Sequence, residues 1–205
     1  MRKLKWAIWG LVVLFAGLFL HYNLPQHDIV RITGTSNRVT PLGAINQYFY
    51  ASQDSGTSPT AARDVRFIDT VYPDGSVKVF RNEDTGFWPP YLKFDSSNLQ
   101  AEASNLKSTA DAPKWVSVTH YGWRVAFESI YPNAVKITPV AGPDVRIFPW
   151  VNIILLGLLA LVAFMARRMW LQFWERMVDP AVASVQTAGD RTRGWFSRLF
   201  GRKGP

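Results

Sequence analysis

Trp150 to Ala166 reads WVNIILLGLLALVAFMA, a run without a single charged side chain that ends on Arg167 and Arg168. Its length approaches the ~20 apolar residues a helix needs to cross a bilayer's hydrocarbon core. A second run, Trp6 to Leu20, follows Arg2, Lys3 and Lys5 near the N-terminus. The two runs predict a pair of spans that suspend everything between them on one side of a membrane. The expected division is a head at 1–5, a first span at 6–22, a β-rich domain at 23–148, a second span at 149–167 and a basic tail at 168–205.

Working outward, the N-terminal run also has the form of a signal peptide. Cleavage requires small residues just past the apolar core, and that position reads FLHYNLPQ (19–26), which is bulky throughout. An uncleaved anchor is therefore expected. Lys3, Lys5 and Trp6 suit one interface, and Trp150, Arg167, Arg168 and Trp170 suit the ends of the second span, because indoles prefer the headgroup level and long cations reach out to it. Ala7, Gly10 and Gly17 leave a small-residue notch on one helix face that can receive the second span or a foreign helix. Neither run carries an ionisable residue, so no ion or proton path is evident.

The net charge of +8 is unevenly spread. Between His21 and Pro149 twelve bases meet twelve acids, so the excess lies wholly in the head and the tail. A neutral domain offers no one-sided surplus of base for phosphate, which argues against nucleic acid as a partner. Basic residues flanking spans set orientation, so both termini are expected in the cytoplasm. The tail's RTRGWFSRLFGRK (191–203), with Trp195 and Phe196 among arginines, suits an anionic leaflet, or is simply a disordered basic end. The chain has no cysteine, which excludes disulfides and thiolate metal sites.

The domain between the runs reads as α+β. His27 to Thr35 is β-branched and partly alternating, a strand. Arg63–Tyr72 and Ser76–Arg81 flank Pro73-Asp74-Gly75, a hairpin turn whose proline and glycine supply the fixed and the permissive dihedrals. Thr40–Ala62 is expected as a long loop, pinned in its middle by Tyr48-Phe49-Tyr50. Asp95 or Ser96 caps a predicted helix over 97–107, with Leu99, Ala103 and Leu106 on one face. Lys114–Tyr121 alternates as a half-buried strand, Gly122 turns the chain, and Trp123–Ile130 and Ala134–Val140 read as further extended segments. A helix between the third and fourth strands is the order of a small OB-like barrel; a generic α+β sandwich fits as well.

Chemistry is sparse. Thr119-His120-Tyr121-Gly122-Trp123-Arg124 gathers an imidazole, a phenol, an indole and a guanidinium at one strand end. With Trp88 and Tyr91 from the aromatic and proline run, His120, Trp123 and Arg124 form the candidate ligand-binding set. The structural alternative is a strand end whose rings pack and whose His and Arg find backbone or carboxylate partners. No convergent group visible in the sequence overrides that alternative. Glu83-Asp84 are adjacent acids that point to opposite faces of an extended chain, a poor acid/base pair, and read as a solvated turn. No nucleophile elbow or phosphate loop is present, so no catalytic residue, metal or cofactor is expected.

VRITGT (30–35), RNEDTGFWPPYLKFDSSNLQAEA (81–103), VTHYGWR (118–124), YPNAV (131–135) and PVAGPDVR (139–146) resemble a family of short bacterial two-span inner-membrane proteins known only as a domain of unknown function. The resemblance implies an extracytoplasmic domain and assigns no activity. The expectation is a non-enzymatic accessory or scaffold protein, bound to the lipid bilayer and to another inner-membrane or periplasmic protein. A membrane-anchored sensor of a small ligand is the alternative.

Overall fold

The structure, a computed structural model, describes residues 2–41, 45–50, 62–86 and 91–180. The chain divides between Pro149 and Trp150 into two compact units. The first comprises α1 (Arg2–Asn23), β1 (Gln26–Pro41), a short 3-10 helix (Asn46–Phe49), β2 (Ala62–Val71), β3 (Val77–Arg81), α2 (Ser96–Asn105), β4 (Trp115–Tyr121) and β5 (Asn133–Pro139). The second contains α3 (Trp150–Phe173), which continues through a π-helical turn at Trp174–Val178. The class is α+β. Two of its helices, Arg2–Asn23 and Trp150–Val178, are long and apolar enough to cross a membrane.

The five strands close into a barrel in the order β1-β2-β3-β5-β4. Strand β1 makes this possible by pairing twice: Gln26–Arg31 runs antiparallel to β4, and Arg31–Pro41 antiparallel to β2. Between the two halves Thr33 is an extra residue, since Ile32 opposes Thr70 and Gly34 opposes Asp69. Such a bulge bends the strand and sharpens its twist. The β2–β3 hairpin forms as its turn residues predict. Gly75 has φ 86, and the Asp74 carboxylate accepts from the Ser76 amide at 2.9 Å.

Alternate residues of the strands point inward. Val30, Ile32, Ile68, Phe80, Val116, Val118, Ala134 and Ile137 make the core, and Leu99 and Ala103 of α2 complete it. Full burial of a leucine contributes about 2 kcal/mol, so the helix is held mainly by this one face. Its start is fixed by two acids: the Asp95 side chain accepts from Asn98 N at 3.3 Å, and Asp84 accepts from Ser96 N at 2.8 Å.

The gap between β3 and β5 is closed unusually. Only one residue pair, Arg81↔Asn133, forms the parallel ladder, with Arg81 N donating to Pro132 O at 2.9 Å. Beyond it side chains take over. The Asn133 amide accepts from Glu83 N and donates to Glu83 O, each at 3.0 Å, the pairing a further strand residue would make. Lys93 Nζ then donates to Asn82 Oδ1 on one edge and to Ala134 O on the other.

Three expectations are corrected. Trp123–Ile130 is not a strand: its pairing is limited to the Val125↔Ile130 bridge, because the Gly122 turn is followed at once by a second reversal. Glu83 is not solvated: it is buried and ion-paired with Arg81 at 3.1 Å, while the exposed Asp84 serves as a helix cap. Strand β1 also outruns its predicted end at Thr35, because its second half has β2 to pair with. Asn133→Leu removes both seam bonds to the Glu83 backbone, so it should lower stability by about 3 kcal/mol, at ~1–3 kcal/mol per buried group deprived of its partner. Urea midpoints of the detergent-solubilised protein measure this.

Candidate functional site

The residues singled out from the sequence separate into different environments. Trp88 lies outside the described residues. His120 points into the barrel, where its ring meets Phe80 at 5.0 Å and Nε2 lies 2.9 Å from the Asp28 carboxylate. Lys78 Nζ reaches the same carboxylate oxygen at 2.5 Å. The three residues come from β4, β1 and β3, so barrel closure assembles the cluster. A carboxylate only accepts, so His120 donates from Nε2–H, and its enclosed Nδ1, which has no hydrogen-bond partner, keeps the lone pair.

Charge follows from that geometry. Burial holds His120 below its usual range despite the carboxylate beside it, so the ring is neutral at pH 7. Burial alone would raise Asp28, but the hydrogen bonds from His120 and Lys78 outweigh it and hold the carboxyl well below the carboxylate range. The cluster is a saturated ion pair with a neutral imidazole. The Tyr72 hydroxyl hydrogen-bonds the same Asp28 carboxylate.

Tyr91 and Trp123 belong to a different structure, a collar around the last turn of α1. A helix leaves its last four carbonyls without partners inside the helix, and here each one has a partner. Leu20 O accepts from Leu24 N at 2.8 Å and Tyr22 O from Gly122 N at 2.9 Å. His21 O accepts from Gln26 Nε2 at 3.0 Å, and Asn23 O from the Tyr91 hydroxyl. Rings complete the collar: Tyr22 meets Phe49, Tyr121 and Trp123 edge-on at 5.3–6.1 Å, and Tyr91 stacks on Tyr121 at 4.6 Å. The Trp123 indole donates to His21 Nδ1 at 2.8 Å. Gly122, at φ 91, brings its backbone close to the Tyr22 ring, 3.6 Å from where a Cβ would sit.

Arg124 donates from Nη1 to the carbonyls of Val125 and Ile130, both at 3.0 Å, and lies 4.0 Å from the Tyr131 ring centre. It fastens the base of the 125–130 turn. Of the residues expected at membrane interfaces, Lys3, Lys5 and Trp6 lie in α1 and Trp150, Arg167, Arg168 and Trp170 in α3; Trp195 and Phe196 lie outside the described residues. Among the described residues no group of three His, Asp or Glu side chains could hold a metal ion.

Sequence reasoning missed a third feature, the segment Leu92-Lys93-Phe94. Lys93 is buried at 7% exposure, while Leu92 and Phe94 on either side are 57% and 71% exposed. Leu92 also adopts φ 48, a region that non-glycine residues occupy rarely and at a cost. Burial pushes the Lys93 ammonium down to about 7. The sequence offered only the negative signal that Pro89-Pro90 exclude regular structure here.

A small barrel that in chain order follows one helix long and apolar enough to cross a membrane, and caps it directly, and precedes a second such helix, defines the class of protein. The chain belongs to the family described as "Protein of unknown function (DUF1523)", which it matches over residues 1–174. It is similar to an "Uncharacterized protein" of Haemophilus influenzae (strain ATCC 51907 / DSM 11121 / KW20 / Rd), 36% identical over 172 residues that cover 81% of this chain and 93% of that relative. No solved structure matches it.

Two pH dependences follow. His120 and Asp28 both have folded-state pKa values below their unfolded ones, so the unfolded chain takes up protons first. Stability from this cluster is complete above pH ~6.5 and is lost on acidification, through His120 and then, below about pH 4, through Asp28. Asp28→Asn should cost about 3 kcal/mol at pH 7 and flatten the limb below pH 4 in urea midpoints. Lys93 acts at the other end. From about pH 7 to 10 only the unfolded chain holds its proton, so stability should rise with pH there, and Lys93→Met should abolish that rise.

Proposed function

We propose that this protein is a non-enzymatic accessory or scaffold protein of the bacterial inner membrane, whose periplasmic domain docks on another envelope protein. In this reading α1 and α3 are the two spans, and the basic head and tail keep both termini in the cytoplasm, as flanking Lys and Arg do. The strand order, with α2 inserted between β3 and β4, supports an OB-like barrel.

The observation that carries the docking role is the inversion at Leu92-Lys93-Phe94. A buried lysine between two exposed apolar side chains reverses the usual partition. The seam between β3 and β5 accounts for Lys93, whose amine spans it. Nothing among the described residues requires its neighbours to be apolar once they are turned out, and Leu92 keeps its strained φ of 48. An apolar patch beside a buried amine and a strained backbone is what a hydrophobic partner surface would recognise. Against the ligand-binding alternative, His120, Tyr91, Trp123 and Arg124 already have partners within the chain.

Affinity purification through the C-terminus after gentle detergent extraction tests the proposal. A stoichiometric membrane or periplasmic partner should accompany the wild-type protein and be lost from Leu92→Ser/Phe94→Ser. That variant should keep its urea midpoint to within ~0.5 kcal/mol, as surface substitutions do. Recovery of the wild-type protein alone, or of the partner equally with the variant, would overturn the docking role of this segment.

A further inference from the structure

We infer that the turn at Ala126–Ser129 is a membrane-surface contact, with Phe127 inserted at the boundary between lipid headgroups and acyl chains. The inference rests on the reading of α1 as a span and goes beyond it by assigning a lipid-binding element to the barrel itself.

Three observations converge. First, the barrel has almost no tether: α1 ends at Asn23 and β1 begins at Gln26, leaving two residues between them. The collar shortens even that distance, because Gly122, Trp123 and Tyr91 bind the last helical turn directly. A helix of 22 residues is about 33 Å long, barely more than the ~30 Å hydrocarbon core. If α1 spans, Tyr22 and Trp123 lie at the headgroup level, where such rings are favoured.

Second, the turn leaves the collar at Trp123. Four residues of chain cover at most about 14 Å, so Phe127 cannot be far from the same plane. Third, the turn is a braced presentation of one apolar ring. Val125 and Ile130 exchange backbone bonds of 3.1 and 3.0 Å, Arg124 holds the carbonyls of both, and the Tyr50 hydroxyl donates to Ser129 O at 2.6 Å. Ser129 takes φ 53 to close the reversal. On this support Phe127 is 87% exposed, and Ala126 beside it is exposed as well. No core contact explains the phenyl ring. On the span reading, a hydrocarbon boundary within about 14 Å does.

Because the chain contains no cysteine, single nitroxide labels can be placed without further changes. Phe127→Cys and, within α1, Val13→Cys are labelled separately in the full-length protein and reconstituted in vesicles of phosphatidylethanolamine and phosphatidylglycerol. Relaxation by oxygen and by a water-soluble nickel chelate then gives the depth of each. Both side chains are exposed in the protein, so neither substitution should disturb folding. The expected result is a label at 13 deep in hydrocarbon and a label at 127 shielded from nickel at the headgroup boundary. A deep label at 13 with a fully nickel-accessible label at 127 would overturn the inference and leave the span intact. Nickel access at both would remove the span reading and the inference with it.

Discussion

The fold depends on a gap that backbone alone does not close. Five strands can form a barrel only if the first and last edges meet, and in this chain β3 and β5 meet at a single residue pair. What completes the join is the Asn133 amide, which pairs with the backbone of Glu83 as a strand residue would. Lys93 clasps Asn82 to Ala134 a step further on. An open edge would leave unpaired donors and acceptors exposed to pairing with other chains, and an unsealed interior would wet the Phe80 core. Side-chain stitching makes the polar run Arg81-Asn82-Glu83 part of the barrel wall.

Closure has a second consequence at the other margin. It sets the start of β1 beside the end of β4, in the register Gln26↔His120. Tyr121 and Gly122 therefore arrive next to the helix that enters β1. The collar grows from that adjacency: the helix end needs acceptors satisfied, and β4's exit supplies an amide from a glycine and rings from its neighbours. Helix and barrel are thus joined by the strand, by capped carbonyls and by packed aromatics. The interior cluster Asp28–Lys78–His120 has the same origin, since its members reach one another only when β1, β3 and β4 share a closed wall.

This explains what the sequence could reveal. Periodicity and turn chemistry are local, so α2, the Pro73-Asp74-Gly75 hairpin, β4 and the two long apolar helices were legible from their own residues. The length of β1 was not, because its second half is a strand only by virtue of β2. The candidate site fared worse for the same reason. His120 and Trp123 lie three residues apart and read as one site in the sequence, yet β4 ends at Tyr121 and the Gly122 turn carries Trp123 away, so one meets Asp28 and the other His21. Glu83 looked like a solvated acid because nothing local announces Arg81 and Asn133 as its surroundings. Lys93 was passed over for want of any pattern around it.

The charges of the domain are spent largely on itself. Arg38 pairs with Asp69, Lys78 with Asp28 and Arg81 with Glu83, and Asp84 and Asp95 cap α2. Three of the twelve acids of this formally neutral domain are thus neutralised by bases inside the fold. Such a domain generates little long-range field, so it gains no electrostatic acceleration of encounter. Recognition on the proposed reading has to come from apolar side chains such as Leu92 and Phe94, which act only at contact. Anchoring compensates for that short reach. Two partners held in one membrane meet at an effective concentration that the tether sets, and a barrel fixed to its helix by a collar presents the same face at every encounter.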